Sequence, residues 1–365
     1  MFLIAAVLSG AVSPACRPPE PIRVGFVGGT SGRVADLGIA GRDAVVLAVE
    51  LRNQAGGVAG RKVELLIQDD EQTPEVAQRA VRELIAQGVV AIIGPMTSAM
   101  AVAVLPIANE TKVLLISPTV STDDLTGRDD YFFRVIASTL DNASRTARYH
   151  LSQNTTRRLA VAYDLRNKSY TESWINSFRA TYAQGGGEIV KTVGFESSGA
   201  TAFLQLAQDL LATPADGVLI VANSMDTALL CQQIRKLGGR APIIASEWAA
   251  TERLIELGGK AVEGVFMAQN FDRDSTAPPY RAFYQAYRNR FHREPGFGGV
   301  NAFDAANVAL DALARRQDPR NLKETILALR RFEGVQEPIL FDEFGDVKRN
   351  LHITAVRDGQ FVVIE

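Results

Sequence analysis

The sequence predicts an α/β protein made of two similar lobes, each built on a largely parallel sheet. Three observations support this fold class. The chain of 365 residues is long enough for two lobes that each bury a core. Short apolar runs rich in β-branched residues alternate with segments of helical periodicity. The connections between these runs are long enough for crossover helices, which parallel strands require.

The first alternation of strands and helices begins at Ile22 and ends near Val135. Apolar spacing predicts helices at residues 39–53 and 75–87, and a further helix that starts at Ser98. The apolar runs predict five strands, at residues 22–27, 62–67, 89–93, 113–116 and 131–135. The glycine-rich segment after the first strand lacks the ending of a P-loop and the spacing of a dinucleotide fingerprint, so it indicates a strand-to-helix turn.

A second alternation starts at Ser138, which suggests a second lobe of the same kind. Its strands are predicted at residues 159–163, 188–195, 217–221, 242–245 and 262–268, and its helices at residues 138–151, 171–184, 202–211 and 226–237. Three later helices, at residues 278–291, 302–316 and 321–330, have no strand between them. They most simply return to cover the first lobe. Residues 341–346, 352–356 and 360–364 predict a closing β segment.

Composition excludes several classes of partner. The net charge is −2 and no long run of like charge occurs, whereas a nucleic-acid-binding protein needs a basic face. No basic amphipathic helix that would suggest binding to a membrane surface is predicted. The three histidines lie far apart without metal-ligand spacing, and no nucleophile elbow occurs. We therefore expect no metal, no cofactor and no enzymatic activity.

Residues 1–16 predict a signal segment. Residues 1–15 carry no charge and are too few to span a bilayer, as in the apolar region of a secretory signal. Cys16 follows Ser-Pro-Ala, which resembles a bacterial lipoprotein processing site and would make Cys16 the lipidated residue. Because the start lacks a basic region and Ser13 stands where leucine is usual, simple cleavage or no processing stays open. The other cysteine, Cys231, is expected to be a buried small hydrophobe.

The stretch of residues 94–121 is the centre of the functional prediction. Two apolar runs end there, at Gly94-Pro95 and at Ser117-Pro118, and each is followed by a hydroxyl residue at the start of a helix or turn, Ser98 and Ser121. Ligands of open α/β sheets bind outside the carboxyl ends of the strands, and free N–H groups of helix N-termini favour carboxylates. Both serines are equally consistent with ordinary helix N-caps.

This stretch resembles the ligand motifs of the leucine/isoleucine/valine-binding protein family, the type I periplasmic receptors of ATP-driven importers. Further marks are the segments at residues 51–61 and 68–70. The resemblance implies two Rossmann-like lobes joined by a three-strand hinge, the fold called periplasmic binding protein-like I. It implies lobe 1 at residues 22–137 plus 272–338 and lobe 2 at residues 138–271 plus 339–365. The crossings would lie near residues 136–140, 270–274 and 337–341.

The same resemblance implies a ligand site. It places a ligand carboxylate on Ser98 and on backbone N–H groups near Thr119 and Ser121. It places an α-ammonium on Glu247, aided by Ser121 and by the carbonyl of Thr119. In the second lobe, Tyr170 matches a cleft-lining tyrosine of the family.

Further second-lobe residues would shape the side-chain pocket. Asn223 and Ser224 fall where the family carries a ligand-contacting tyrosine, although Ser224 is also a candidate N-cap. Trp248 would form the floor of the pocket or pack in the core.

The resulting hypothesis is an extracytoplasmic receptor, lipid-anchored or free in the periplasm, that delivers an amino acid or related amphiphile to an ATP-binding cassette permease. Amide- or urea-sensing regulators and receptor ectodomains of the same fold are the alternative, and a hydrolase is a remote one. The sequence alone does not identify the ligand.

Overall fold

The computed structural model describes residues 19–316 and 322–365. The predicted signal segment at residues 1–16 and the predicted lipidation of Cys16 lie outside these residues. Within them, no helix is both long enough and apolar enough to cross a membrane. Cys231 is buried, as predicted.

The first sheet has five parallel strands in the order β2-β1-β3-β4-β5. All five were predicted, with ends that differ by a few residues. The strands are β1 Ile22–Gly28, β2 Val63–Asp69, β3 Ala91–Ile93, β4 Leu114–Ser117 and β5 Phe132–Arg134.

Helices cover both faces of this sheet. They are α1 Ala35–Gln54, α2 Pro74–Ala86 and α3 Ser98–Thr111. Successive strand side chains alternate between two apolar layers, so Phe26 and Ile93 belong to the layer that includes α1, whereas Val27 and Ile92 belong to the layer of α2 and α3. Burial on both faces explains why these strands are continuous apolar runs rather than alternating ones.

The second sheet has seven strands in the order β14-β13-β10-β9-β8-β6-β7. Five are parallel, and the last two form an antiparallel hairpin at the edge, which matches the predicted closing segment. The strands are β6 Arg158–Asp164, β7 Glu188–Phe195, β8 Gly217–Val221, β9 Ile243–Ala245, β10 Phe266–Gln269, β13 His352–Arg357 and β14 Gln360–Val363. The prediction began β10 four residues early, in what is a 3₁₀ turn at Gly259–Val262.

The helices of the second lobe connect its parallel strands. They are α4 Thr139–Gln153, α5 Lys168–Gln184, α6 Phe203–Leu211, α7 Ser224–Lys236 and α8 Glu252–Gly258. The first four confirm predicted helices. The fifth, of seven residues, was not predicted.

The C-terminal helices return to the first lobe, as expected. They are α9 Pro278–Phe291, α10 Gly296–Arg315 and α11 Leu322–Leu329. Helix α10 packs along α1 and against β3 and β4. It begins six residues before its predicted start at Ala302 because the glycines of its first turns permit close approach. A Cβ atom on Gly298 would lie 2.6 Å from Leu37 Cδ1.

The chain near the predicted third crossing pairs with itself and with the first lobe. Strands β11 Arg331–Phe332 and β12 Ile339–Leu340 pair with each other. Beyond them, the backbone N–H of Arg134 in β5 donates to the carbonyl of Gly345 at 3.1 Å. We therefore propose that the chain crosses after Asp346 rather than near residues 337–341, with the other lobe bounds as predicted.

Candidate functional site

Two strand-end loops of the first lobe are fastened to each other by side-chain hydrogen bonds. The Thr119 hydroxyl donates to the carbonyl of Met96 at 2.5 Å, and the Ser117 hydroxyl donates to the carbonyl of Pro95 at 2.7 Å. The Ser117 hydroxyl also accepts from the N–H of Val120 at 3.1 Å. These bonds fix the backbone beyond β3 and β4 independently of any solute.

Ser98 and Ser121 are not N-caps. Thr97 occupies the N-cap position of α3, so Ser98 is the first helical residue. Thr122 caps the turn that follows β4, accepting from the N–H of Asp124 at 3.2 Å. The N-cap interpretation of the two serines is therefore wrong by one residue in each case. Both are buried, and the described part of the chain offers neither hydroxyl a hydrogen-bond partner.

Glu247 contributes a buried carboxylate from the second lobe. It follows β9 in a short 3₁₀ turn and is only 5% exposed. Trp174 Nε1 donates to its Oε2 atom at 2.8 Å, whereas Oε1 has no partner among the described residues. Burial raises the pKa of Glu247 to about 7. A carboxylate in this state is stabilised by a cation or a hydrogen-bond donor brought to Oε1.

Two aromatic side chains lie beside this carboxylate. The rings of Tyr170 and Trp248 meet edge to face, with centroids 5.5 Å apart. The buried Tyr170 hydroxyl has no hydrogen-bond partner within the described chain. Burial, reinforced by the nearby charge of Glu247, raises the pKa of Tyr170 well above its usual value. The hydroxyl is therefore a neutral donor at physiological pH.

These groups meet at one cavity between the lobes, with a volume of about 20 Å³. This is room for about one water molecule, so an amino acid fits only when the lobes move apart and widen the cavity. No lysine or arginine is among the described residues that line it. Those residues are Leu37, Met96, Thr97, Ser98, Thr119, Ser121, Ile136, Asn167, Tyr170, Glu247, Trp248 and Phe297. Six of the eight predicted ligand residues are thus brought together.

The family profile described as "Periplasmic binding protein" matches residues 21–360, which is most of the chain. The chain belongs to the periplasmic binding protein family. Members of this family are solute-binding proteins, and membership implies an extracytoplasmic location.

Curated relatives of this periplasmic binding protein span its whole folded region. The Leu/Ile/Val-binding protein homolog 3 of Brucella melitensis is 25% identical over 351 residues, which cover 94% of both chains. The leucine-, isoleucine-, valine-, threonine- and alanine-binding protein of Pseudomonas aeruginosa is 25% identical, covering 95% of this chain and 92% of the relative.

Among solved structures, the leucine-binding protein LivK of Thermotoga maritima superposes with a TM-score of 0.87. It is 26% identical and covers 94% of this chain and 98% of its own. The shared two-lobed α/β fold confirms the fold class predicted from the sequence.

Asn223 and Ser224 do not line the cavity of this periplasmic binding protein. Asn223 is the N-cap of α7, and its Oδ1 atom accepts from the N–H of Asp226 at 2.9 Å. The Ser224 hydroxyl donates to Asp36 in the first lobe at 2.7 Å. The structure thus contradicts their predicted place in the side-chain pocket, and it also rules out Ser224 as the N-cap.

The sequence analysis missed residues that complete the cavity. Asn167 Oδ1 accepts from the N–H of Ala99, in the first turn of α3, at 2.9 Å and so joins the two lobes. The apolar part of the wall comes from Leu37, Met96, Ile136 and Phe297. The contact of Asn167 with Ala99 could not be predicted because the two residues belong to different lobes. From their apolar pattern, Leu37 and Phe297 cannot be told from ordinary core residues of α1 and α10.

A larger groove between the lobes lies away from Glu247. It has a volume of about 620 Å³ and is lined by many charged groups, including Asp36 and Arg293. These two already have partners, since Asp36 accepts from Ser224 and Arg293 pairs with Asp43. Unsatisfied buried polar groups mark the smaller cavity instead, so we take the smaller cavity as the site.

Proposed function

We propose that this periplasmic binding protein binds an α-amino acid or a closely related amphiphile in the cavity between its lobes. The observation that carries the proposal is the unpaired Oε1 atom of the buried Glu247. A buried carboxylate without a cationic partner is strongly unfavourable, and no basic side chain among the described residues lines the cavity to relieve it. An α-ammonium group at this point would pair with the charge and fill the missing hydrogen bond.

The first lobe would bind the ligand carboxylate. The free hydroxyls of Ser98 and Ser121 lie at the ends of neighbouring strands, and Ser98 opens α3, whose N-terminus favours an anion. The Thr119 hydroxyl is already engaged with Met96. Thr119 would therefore contribute its backbone groups rather than its side chain.

The apolar wall supports a small hydrophobic side chain on the ligand. Leu37, Ile136 and Phe297 present no polar group to the cavity, whereas the polar Asn223 and Ser224 lie outside it. The names of both relatives include leucine, isoleucine and valine, and the name of the second adds threonine and alanine.

The protein would release its ligand to an ATP-binding cassette permease without chemical change. Its relatives are binding proteins, and the described residues that line the cavity include no nucleophile hydrogen-bonded to a general base. An amide-sensing regulator would bind amides alone. A hydrolase would turn over a bound amide.

A thermal-shift panel on the protein from Pro18 onward tests the proposal. The panel contains α-amino acids, short amides, urea and aromatic acids. A ligand at about 100 times its Kd stabilises the folded protein by roughly 2.7 kcal/mol, so the melting temperature should rise by several degrees. We expect a shift with an aliphatic α-amino acid that is lost in Glu247→Ala and kept in Glu50→Ala, whose ion pair with Arg290 is remote. Shifts with carboxylates that lack an ammonium, unaffected by Glu247→Ala, would refute the assigned pose.

We also propose that Cys16 anchors the mature protein to a membrane by a lipid. Mass spectrometry of the protein made in a bacterial host with its own N-terminal segment would show a diacylglyceryl mass on Cys16. A mature form that begins elsewhere and carries no lipid would leave simple secretion as the explanation.

A further inference from the structure

The lobes also contact each other beside the cavity, through one carboxylate of the first lobe. Asp36, in the first turn of α1, uses its Oδ2 atom to accept two hydrogen bonds from the second lobe. The donors are the hydroxyls of Ser224 at 2.7 Å and Thr251 at 2.5 Å. Ser224 is the first residue of the 13-residue helix α7, whose N-terminal end favours a negative charge.

A second contact between the lobes involves residues that are close in sequence to those of the first. Arg33 Nε of the first lobe donates to Asp226 Oδ1 at 2.8 Å. The Asp226 side chain has no exposed surface, and its Oδ2 atom accepts from Asn223 Nδ2 at 2.7 Å. Thus Asn223 orients Asp226 toward Arg33, which belongs to the other lobe.

None of these side chains lines the cavity beside Glu247, and Arg33, Asp36 and Thr251 line the larger groove instead. All of their cross-lobe bonds break when the lobes separate. We propose that Arg33 and Asp36 on one side, and Ser224, Asp226 and Thr251 on the other, form a latch that stabilises the closed lobes and sets the ligand's residence time. This inference rests on the proposed function, because it assumes a ligand enclosed by closure.

The resemblance assigned residues 223–224 to ligand contact, whereas the latch gives this position a different role. Of the two small polar residues at positions 223–224, Ser224 donates to Asp36 of the other lobe, whereas Asn223 holds Asp226 within its own lobe. Affinity for a ligand that needs the closed form falls in proportion to the fraction of closed protein. The latch residues therefore tune affinity without choosing between ligands.

The kinetics of ligand release distinguish the latch from a general structural role. We expect Asp36→Ala to raise the dissociation rate of L-leucine, used as the probe, by roughly tenfold or more, because two hydrogen bonds to a charged group are lost. The association rate and the melting temperature of the ligand-free protein should stay unchanged. Glu50→Ala, which removes an ion pair within the first lobe on the same helix, is the matched control and should leave both rates unchanged.

A double-mutant cycle tests the specific contact. Ser224→Ala should have a smaller effect than Asp36→Ala, and the double variant should add little to Asp36→Ala alone, since both remove the same bond. Small-angle X-ray scattering should show a larger radius of gyration for Asp36→Ala than for the wild type at equal, sub-saturating L-leucine.

Equal dissociation rates and equal radii of gyration for Asp36→Ala and the wild type would overturn the latch. Failure of the wild type to bind L-leucine or any other α-amino acid would instead refute the proposed function. In that case small-angle X-ray scattering on the wild type and Asp36→Ala still tests the latch. Equal radii of gyration would refute it.

Discussion

The two lobes supply the cavity with groups of different character. The first lobe provides hydroxyls and backbone groups on loops that hold each other, through Thr119 and Ser117, and none of its lining residues is charged. The second lobe provides Glu247, a buried carboxylate whose Oε1 atom lacks a partner. The backbone of the first half is thus held without a ligand, although the hydroxyls of Ser98 and Ser121 lack a partner among the described residues, whereas the second half holds a charge whose stabilisation depends on what binds. We therefore propose that the second lobe discriminates by charge and the first by shape and hydrogen bonding.

The sharpest test of the comparison is Glu247→Gln. The amide keeps the size of the side chain but removes the charge, so binding of an α-amino acid should weaken by roughly 100-fold or more, measured by calorimetry. The ligand-free protein should not lose stability at neutral pH, because a buried charge without a partner has been removed. Retained affinity would show that the second lobe does not select by charge.

Removing a hydroxyl from the first lobe should have a smaller effect. Ser98→Ala should weaken binding by roughly tenfold, since one hydrogen bond to a carboxylate is lost, and should leave the free energy of unfolding unchanged. The contrasting variant is Ser117→Ala, which removes a buried hydroxyl with two backbone partners and should lower the free energy of unfolding by about 1–3 kcal/mol. Chemical denaturation and calorimetry on both variants check this. Equal losses of stability would show that Ser98 is structural.

Affinity should also depend on pH through Glu247. Its pKa of about 7 means that the fraction able to pair with an ammonium rises as the pH rises from 6 to 8. We expect binding to tighten by about tenfold over this range in the wild type and to change little in Glu247→Gln. A wild-type Kd that does not vary with pH would contradict the assignment.

The same pKa predicts how pH acts on the ligand-free protein. Burial raises the pKa of Glu247 from 4.5 to about 7, so the folded state binds this proton more tightly than the unfolded chain does. Glu247 therefore destabilises the ligand-free fold increasingly as the pH rises from about 4.5 through about 7. The loss of stability over that window should be smaller in Glu247→Gln.

The smallest expected effect is that of Tyr170→Phe. The Tyr170 hydroxyl has no partner among the described residues, so its removal should not destabilise the ligand-free protein. Affinity should fall by about threefold, because the hydroxyl would donate one hydrogen bond to the ligand. A drop of 100-fold in a binding titration would instead place Tyr170 beside Glu247 as a main determinant.

Much of the fold could be predicted from the sequence because each signal was local. Apolar β-branched runs predicted the parallel strands of both sheets, and the resemblance correctly identified the family. The start of α10 was missed because Gly298 is read as a loop residue until its contact with Leu37 is known.

The site was only partly predictable, for a related reason. Sequence places a hydroxyl near a strand end, but it does not decide whether Thr97 or Ser98 is the cap, and a shift of one residue changes where the side chain points. Contacts between lobes, such as Asn167 with Ala99 and Ser224 with Asp36, depend on how two separately folded units meet. No local pattern encodes that arrangement.

The packing of α10 along α1 has a consequence for the order in which this protein can fold. Helix α1 emerges early from the ribosome, but its partner follows only after nearly all of the second sheet. At typical translation rates this delay is on the order of 10–50 s, during which the apolar face of α1 stays uncovered. The first part of the chain to be synthesised is therefore among the last to complete its core. A growing chain therefore keeps this face of α1 without its final partner until five of the seven strands of the second sheet have been made.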